Sequence, residues 1–215
     1  MIDAEDFQIP GTGTLKNKLG ITNSDTLSAA VSECTARRLV ELRASPVRGG
    51  FDSSHLREIH RYLYQDVFDW AGELRHINMG GAPFSDLENS LNRVLDRLSR
   101  EDLLKGLDKE TWTRRATDHL EELRSLRPFL AGNDLAIQEF ATELARKNDL
   151  SLEWQEAPEP ASTAVAFGEQ AERSVQLRRL IMLAMDSDPV APLPRYRHTL
   201  ERGSGLSFSI DKSVI

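Results

Sequence analysis

Residues 51–75 read FDSSHLREIHRYLYQDVFDWAGELR. Leu56, Ile59, Leu63 and Val67 recur every three or four positions, so they share one face of an amphipathic helix. Trp70-Ala71-Gly72 closes that segment, with Gly72 as the expected stop. The next stretch, 74–84 (LRHINMGGAPF), is the one clear strand candidate. It alternates in part, and Gly80-Gly81 can supply the positive φ of a tight turn. The pattern predicts a small β-hairpin that is marginal by itself.

Working outward, helices are predicted on both sides. Ser24 is the expected N-cap of a helix that turns Leu27, Val31, Cys34 and Ala36 inward and ends near Ser45-Pro46. Ser85 with Glu88 spells a capping box ahead of Leu87, Leu91, Val94, Leu95 and Leu98. Asp108 caps a helix carrying Ala116, Leu120 and Leu123, and another runs from about Asp134 to Lys147 with Ile137, Phe140 and Leu144 inward. A further helix is expected over roughly 161–186. The organisation expected is an arm at 1–20, a mainly α domain at 21–187, and a Pro-bearing linker and tail at 188–215.

Composition narrows the function classes. The chain has 215 residues, 40% hydrophobic and 28% charged, with a net charge of −7. That excludes a wholly disordered chain and argues against a general nucleic-acid binder. One cysteine, Cys34, supports neither a disulfide framework nor a cysteine-rich zinc site; it is expected buried and inert. No apolar run approaches the roughly 20 residues of a membrane span, and the acidic start is no secretory signal, so a cytoplasmic location is expected. His55 and His60 lie five apart on their helix and diverge too far to share a metal. They read as packing residues, and no metal site is expected.

Residues 127–138, RPFLAGNDLAIQ, join two helices. A Gly-Asn pair at a helix start has two readings: free N–H groups that cradle an anion, or simply a turn and an N-cap.

The order of these segments resembles the Fic-domain family, which includes adenylyltransferase toxins and secreted bacterial effectors. The family's hallmark is H-P-F-x-(D/E)-G-N-G-R-x-x-R between two helices. The likeness rests on Phe51 to Arg75, on TLKNKLGI at 14–21, on Leu104 to Leu107 and on the 127–138 turn, and it covers about residues 14–187. It implies a helical bundle with one hairpin flap. In the family the flap, here Arg75, His76, Ile77, Asn78, Met79, Gly80, Gly81, Ala82, Pro83 and Phe84, pairs its edge with an extended target segment.

Set against the hallmark, the turn keeps Pro128, Phe129, Gly132 and Asn133 and changes the positions the resemblance implies for chemistry. Arg127 stands for the His general base, and a guanidinium cannot accept a proton near neutral pH. Ala131 stands for the acid that ligates magnesium. Asp134 replaces the second Gly, and Leu135 and Gln138 replace two phosphate-binding Arg residues. Gly132 and Asn133 remain as the remnant of the nucleotide loop. Arg127 itself has two readings: an internal ion pair with Asp134, Glu121 or Glu122, which we favour, or capture of an anionic group. The resemblance thus implies an inactive Fic-like pseudoenzyme of effector or toxin lineage. It would bind a protein, need no cofactor and hold no nucleotide, and a specialised secretion system is a route for its delivery. The competing reading is a transferase with altered chemistry on a nucleotide or phosphorylated ligand.

Overall fold

The computed structural model describes residues 4–79, 83–152 and 154. Among these residues five α-helices make the fold: α1 (Ser24–Ala44), α2 (Ser53–Tyr64), α3 (Leu87–Arg100), α4 (Lys109–Leu126) and α5 (Asn133–Lys147). The expected helix at 161–186, the tail at 188–215 and Gly80, Gly81 and Ala82 lie outside the described residues.

Helix α2 forms as its spacing predicts, but it stops at Tyr64, because Gln65 already caps it. Its first turn is closed by Asp52, whose side chain accepts from the His55 N–H. Leu56, Ile59 and Leu63 have no exposed surface. They pack against α1 on one side and α5 on the other, while α4 joins α5 to α3. Trp112, Phe129 and Phe140 are fully buried in the shared core.

Several local expectations are corrected. Helix α1 is capped by Asn23 rather than Ser24, since the Asn23 side chain accepts from the Thr26 N–H. Thr35, not Ala36, takes the inward position, and Cys34 is only half-buried. Helix α3 starts after Asp86, which makes no side-chain cap, so the Ser85 capping box does not form. Asp108 caps α4 as predicted, accepting from Glu110 and Thr111.

The expected hairpin is not tested, because its turn, Gly80 to Ala82, lies outside the described residues. No strand ladder is present among the described residues from 74 to 84. Arg75 and Ile77 are buried and His76 and Asn78 exposed, and the Asn78 Oδ1 accepts from the Phe84 N–H at 3.1 Å. The N-terminal arm folds on itself through a Gln8–Leu15 bridge, and the Lys18 N–H donates to the Val67 carbonyl just past α2.

Candidate functional site

The turn between α4 and α5 is held by three side chains, two of them from elsewhere in the fold. Its own contribution is Asn133, whose amide donates to the Phe129 carbonyl and accepts from the Phe129 N–H, both at 2.9 Å. Gly132, at φ 74°, is the N-cap, so Asn133 closes the turn backwards instead of capping α5. A Cβ on Gly132 would lie 2.4 Å from the Tyr64 ring, which only glycine permits.

Arg75 is the second clasp. Its backbone N–H donates to the Pro128 carbonyl at 2.9 Å. Its guanidinium donates to the carbonyls of Arg127 (2.7 Å), Leu126 (2.9 Å) and Ile77. Those carbonyls include the last ones of α4, which a cation suits. Burial, and then the nearby Arg127 charge, lower the Arg75 pKa. Arg75 therefore belongs to the root of the 75–84 segment and fastens it to the turn, rather than facing a target.

His60 is the third. The Gly72 N–H donates to its Nδ1 at 2.9 Å, so that nitrogen carries no proton; Nε2 carries it and donates to the Ala131 carbonyl at 3.0 Å. The ring lies 3.8 Å from Phe129 in a near-parallel stack, with Tyr64 at 4.7 Å on its own helix. Burial pushes the imidazole down to about 4, and the Ala131 carbonyl offsets only part of that. Burial also raises the Tyr64 phenol, with the Asp134 carboxylate adding to the effect.

The expected internal ion pair of Arg127 is corrected. Asp134 bonds Arg124 at 2.8 Å and Glu122 bonds Arg97 at 2.8 Å. Among the described residues, Arg127 has no carboxylate partner; its half-exposed guanidinium extends from a left-handed backbone with φ 46°. Ala131 and Leu135 are buried, Gln138 is half-buried, and Pro128 and Phe129 are buried in the loop's anchor. Ala131 also lines a shallow crevice with Thr14, Leu15, Leu27 and Phe68. Among the described residues no three His, Cys, Asp or Glu side chains are placed to hold a metal ion, and no helix is long and apolar enough to cross a membrane.

Sequence reasoning missed the joining roles of His60 and Arg75. The available signal was a charged residue on the inward side of an alternating stretch, Arg75 beside Ile77. His119 is buried between Glu101, 3.1 Å from its Nε2, and Arg97, 3.4 Å from its Nδ1, a pairing that no sequence motif marks.

No family model matches the chain. The Escherichia coli K12 protein described as a probable protein adenylyltransferase Fic is 32% identical over 191 residues, spanning 85% of this chain and 94% of that protein. The Salmonella typhimurium protein of the same description is 34% identical over 154 residues, 69% of this chain and 76% of that protein. Protein adenylyltransferase VbhT of Bartonella schoenbuchensis is 31% identical over 179 residues; the match spans 79% of this chain but 37% of VbhT. Among solved structures, the Fic domain of a Bartonella sp. AR 15-3 effector superposes with a TM-score of 0.72 at 25% identity, covering 85% of this chain and 92% of that one. The type IV secretion system effector BepA superposes at 0.67 and 29%, covering 72% and 59%. A Bartonella quintana Fic domain with bound ADP shares the fold at 0.72 and 24%, covering 84% and 94%.

Proposed function

This chain belongs to the Fic family of protein adenylyltransferases, and from that premise we propose that it has lost AMP transfer and acts as a protein-binding module of effector or toxin lineage. One observation carries the loss: the residue at the head of the turn is Arg127, whose guanidinium has no lone pair with which to take a hydroxyl proton. The residues present do not fit a nucleotide-bound magnesium either. Position 131 ends in a methyl group, its carbonyl is engaged by His60, and the carboxylate of Asp134 is bonded to Arg124. Losing base, metal ligand and phosphate donors together removes most of the terms that accelerate such a transfer.

The fold itself does not exclude a nucleotide, since a Bartonella quintana relative holds ADP. The expectation that none binds is therefore narrowed: the proposal concerns transfer, and binding is measured beside it. The experiment supplies labelled ATP and magnesium to the chain and to the variant Arg127→His, Ala131→Asp, Asp134→Gly, Leu135→Arg, Gln138→Arg. Label on protein is expected only with the variant. Label transferred by the unaltered chain overturns the reading.

The binding half rests on the 75–79 segment, which presents His76 and Asn78 outward while Arg75 and Ile77 anchor it. An extended partner segment fits along that outer side. A photo-crosslinker at position 76 is expected to capture it, and one on the exposed side of α3 is not; equal yields at both would end the idea. Delivery by a secretion system belongs to the same proposal, by likeness to BepA, and a translocation reporter fused to the chain tests it.

A second reading is favoured by one finding, the guanidinium of Arg127 without a carboxylate among the described residues. It has the fold acting on a phosphorylated ligand by a route that needs no histidine. Arg127→Ala would then abolish turnover of that ligand, while the module reading leaves no turnover to abolish.

A further inference from the structure

His60 joins three segments that are distant in sequence: its own helix α2, the Gly72 turn at the root of the flap segment, and the Ala131 carbonyl in the turn before α5. Each bond uses one ring nitrogen, and each nitrogen has a different task. The arrangement works only for the neutral ring with its proton on Nε2. A second proton would turn Nδ1 into a donor facing the Gly72 N–H, two donors at 2.9 Å.

The surroundings do not absorb such a charge. On α2, Arg57 donates to the Gly72 carbonyl at 2.9 Å, Arg61 is paired with Glu58, and the Tyr64 phenol is neutral. From the flap root and the turn come Arg75, which bonds only carbonyls, and Arg127. Asp134 lies beyond Tyr64 and is bonded to Arg124. Phe129 and Trp70 face the ring with aromatic surface. No carboxylate hydrogen-bonds either ring nitrogen among the described residues.

We propose that His60 is an acid-sensitive latch: protonation of its ring releases the 127–133 turn from the Gly72 turn while the rest of the helical core stays folded. The inference holds whether or not the chain transfers AMP, because it concerns what shapes the turn.

The direction follows from linkage. The ring of the closed latch binds a proton less readily than an imidazole in water, at about 4 against 6.5. Closure is therefore fully held above pH 6.5 and is lost as the pH falls toward 4. Between pH 7.5 and pH 5 the opening equilibrium rises about thirtyfold.

Amide hydrogen exchange reads this opening, corrected for the intrinsic effect of pH. The reporters are the Gly72 and Phe129 amides, with the α3 amides of Leu95 and Leu98 as controls. The reporters are expected to lose about thirtyfold in protection from pH 7.5 to 5 while the α3 amides keep theirs. In His60→Gln, which cannot titrate, that pH dependence should vanish. The latch is overturned if reporters and controls lose protection in parallel, if neither changes, or if His60→Gln retains the dependence. Should that variant not fold, nitrogen NMR of the ring in the unaltered chain decides. A ring protonated at Nε2 that titrates well below 6.5 supports the latch; a proton on Nδ1, or a midpoint near 6.5, overturns it.

Discussion

His55 and His60 are both buried on α2, five positions apart, and meet opposite kinds of partner. At the His55 end the neighbours are carboxylates. Glu143 Oε2 stands 3.0 Å from His55 Nε2, though off the line a hydrogen bond requires, and four positions earlier on α5 the buried Glu139 is gripped by Arg43 at 2.6 Å. At the His60 end the partners are a backbone carbonyl and a backbone N–H. Beside that end of the helix, side chains of α1 and α5 are tied by charge. The other end is tied by a neutral ring that shapes a turn. Residue type is the same; what differs is whether the element packed opposite offers side chains or bare backbone.

Removing the ring stacked on His60 should have the largest effect. Phe129→Ala deletes a fully buried side chain and should destabilise the chain by about 3–5 kcal/mol in urea unfolding. At the other end, Arg43→Ala leaves Glu139 buried and uncompensated. Because Arg43 is partly exposed, the loss should be nearer 2–3 kcal/mol, and it should not alter exchange at Gly72. Gly132→Ala combines a left-handed backbone with a clash on Tyr64, for about 2 kcal/mol. Adding Tyr64→Ala to it should relieve the clash and leave only the backbone share, a coupling that a double-mutant cycle measures. The smallest effect belongs to Arg124→Ala. Its bond to Asp134 is largely solvent-exposed and should be worth less than about 1 kcal/mol in thermal unfolding at moderate salt. A large loss from Arg124→Ala would mean that charge, not the His60 and Arg75 bonds, shapes the turn.

Much of the turn was readable from its kept residues. Pro128 and Phe129 anchor it in the core, and Gly132 supplies a backbone conformation and a close approach that other residues resist. The pairing of Arg127 was misread, because a sequence shows which carboxylates are near in number but not which arginine reaches them first. Arg124, one helical turn before the C-cap, reaches Asp134 instead. For the 74–84 stretch, alternation predicts which side chains point inward, as Arg75 and Ile77 do; a ladder also needs a second strand in register, and the turn that would bring one lies outside the described residues.

The sequence by itself determined the helical class, the inward faces of α2, α3 and α5, the cap at Asp108 and an arginine, which accepts no proton, at position 127. Those properties are local, arising from spacing, backbone freedom and the chemistry of one side chain. Only the tertiary structure decided that His60 and Arg75 hold the turn, and that Arg127 has no carboxylate partner among the described residues. These depend on which backbone groups and charges the packing of α2, α4 and α5 brings within about 3 Å, a distance at which direction and burial outweigh separation along the chain.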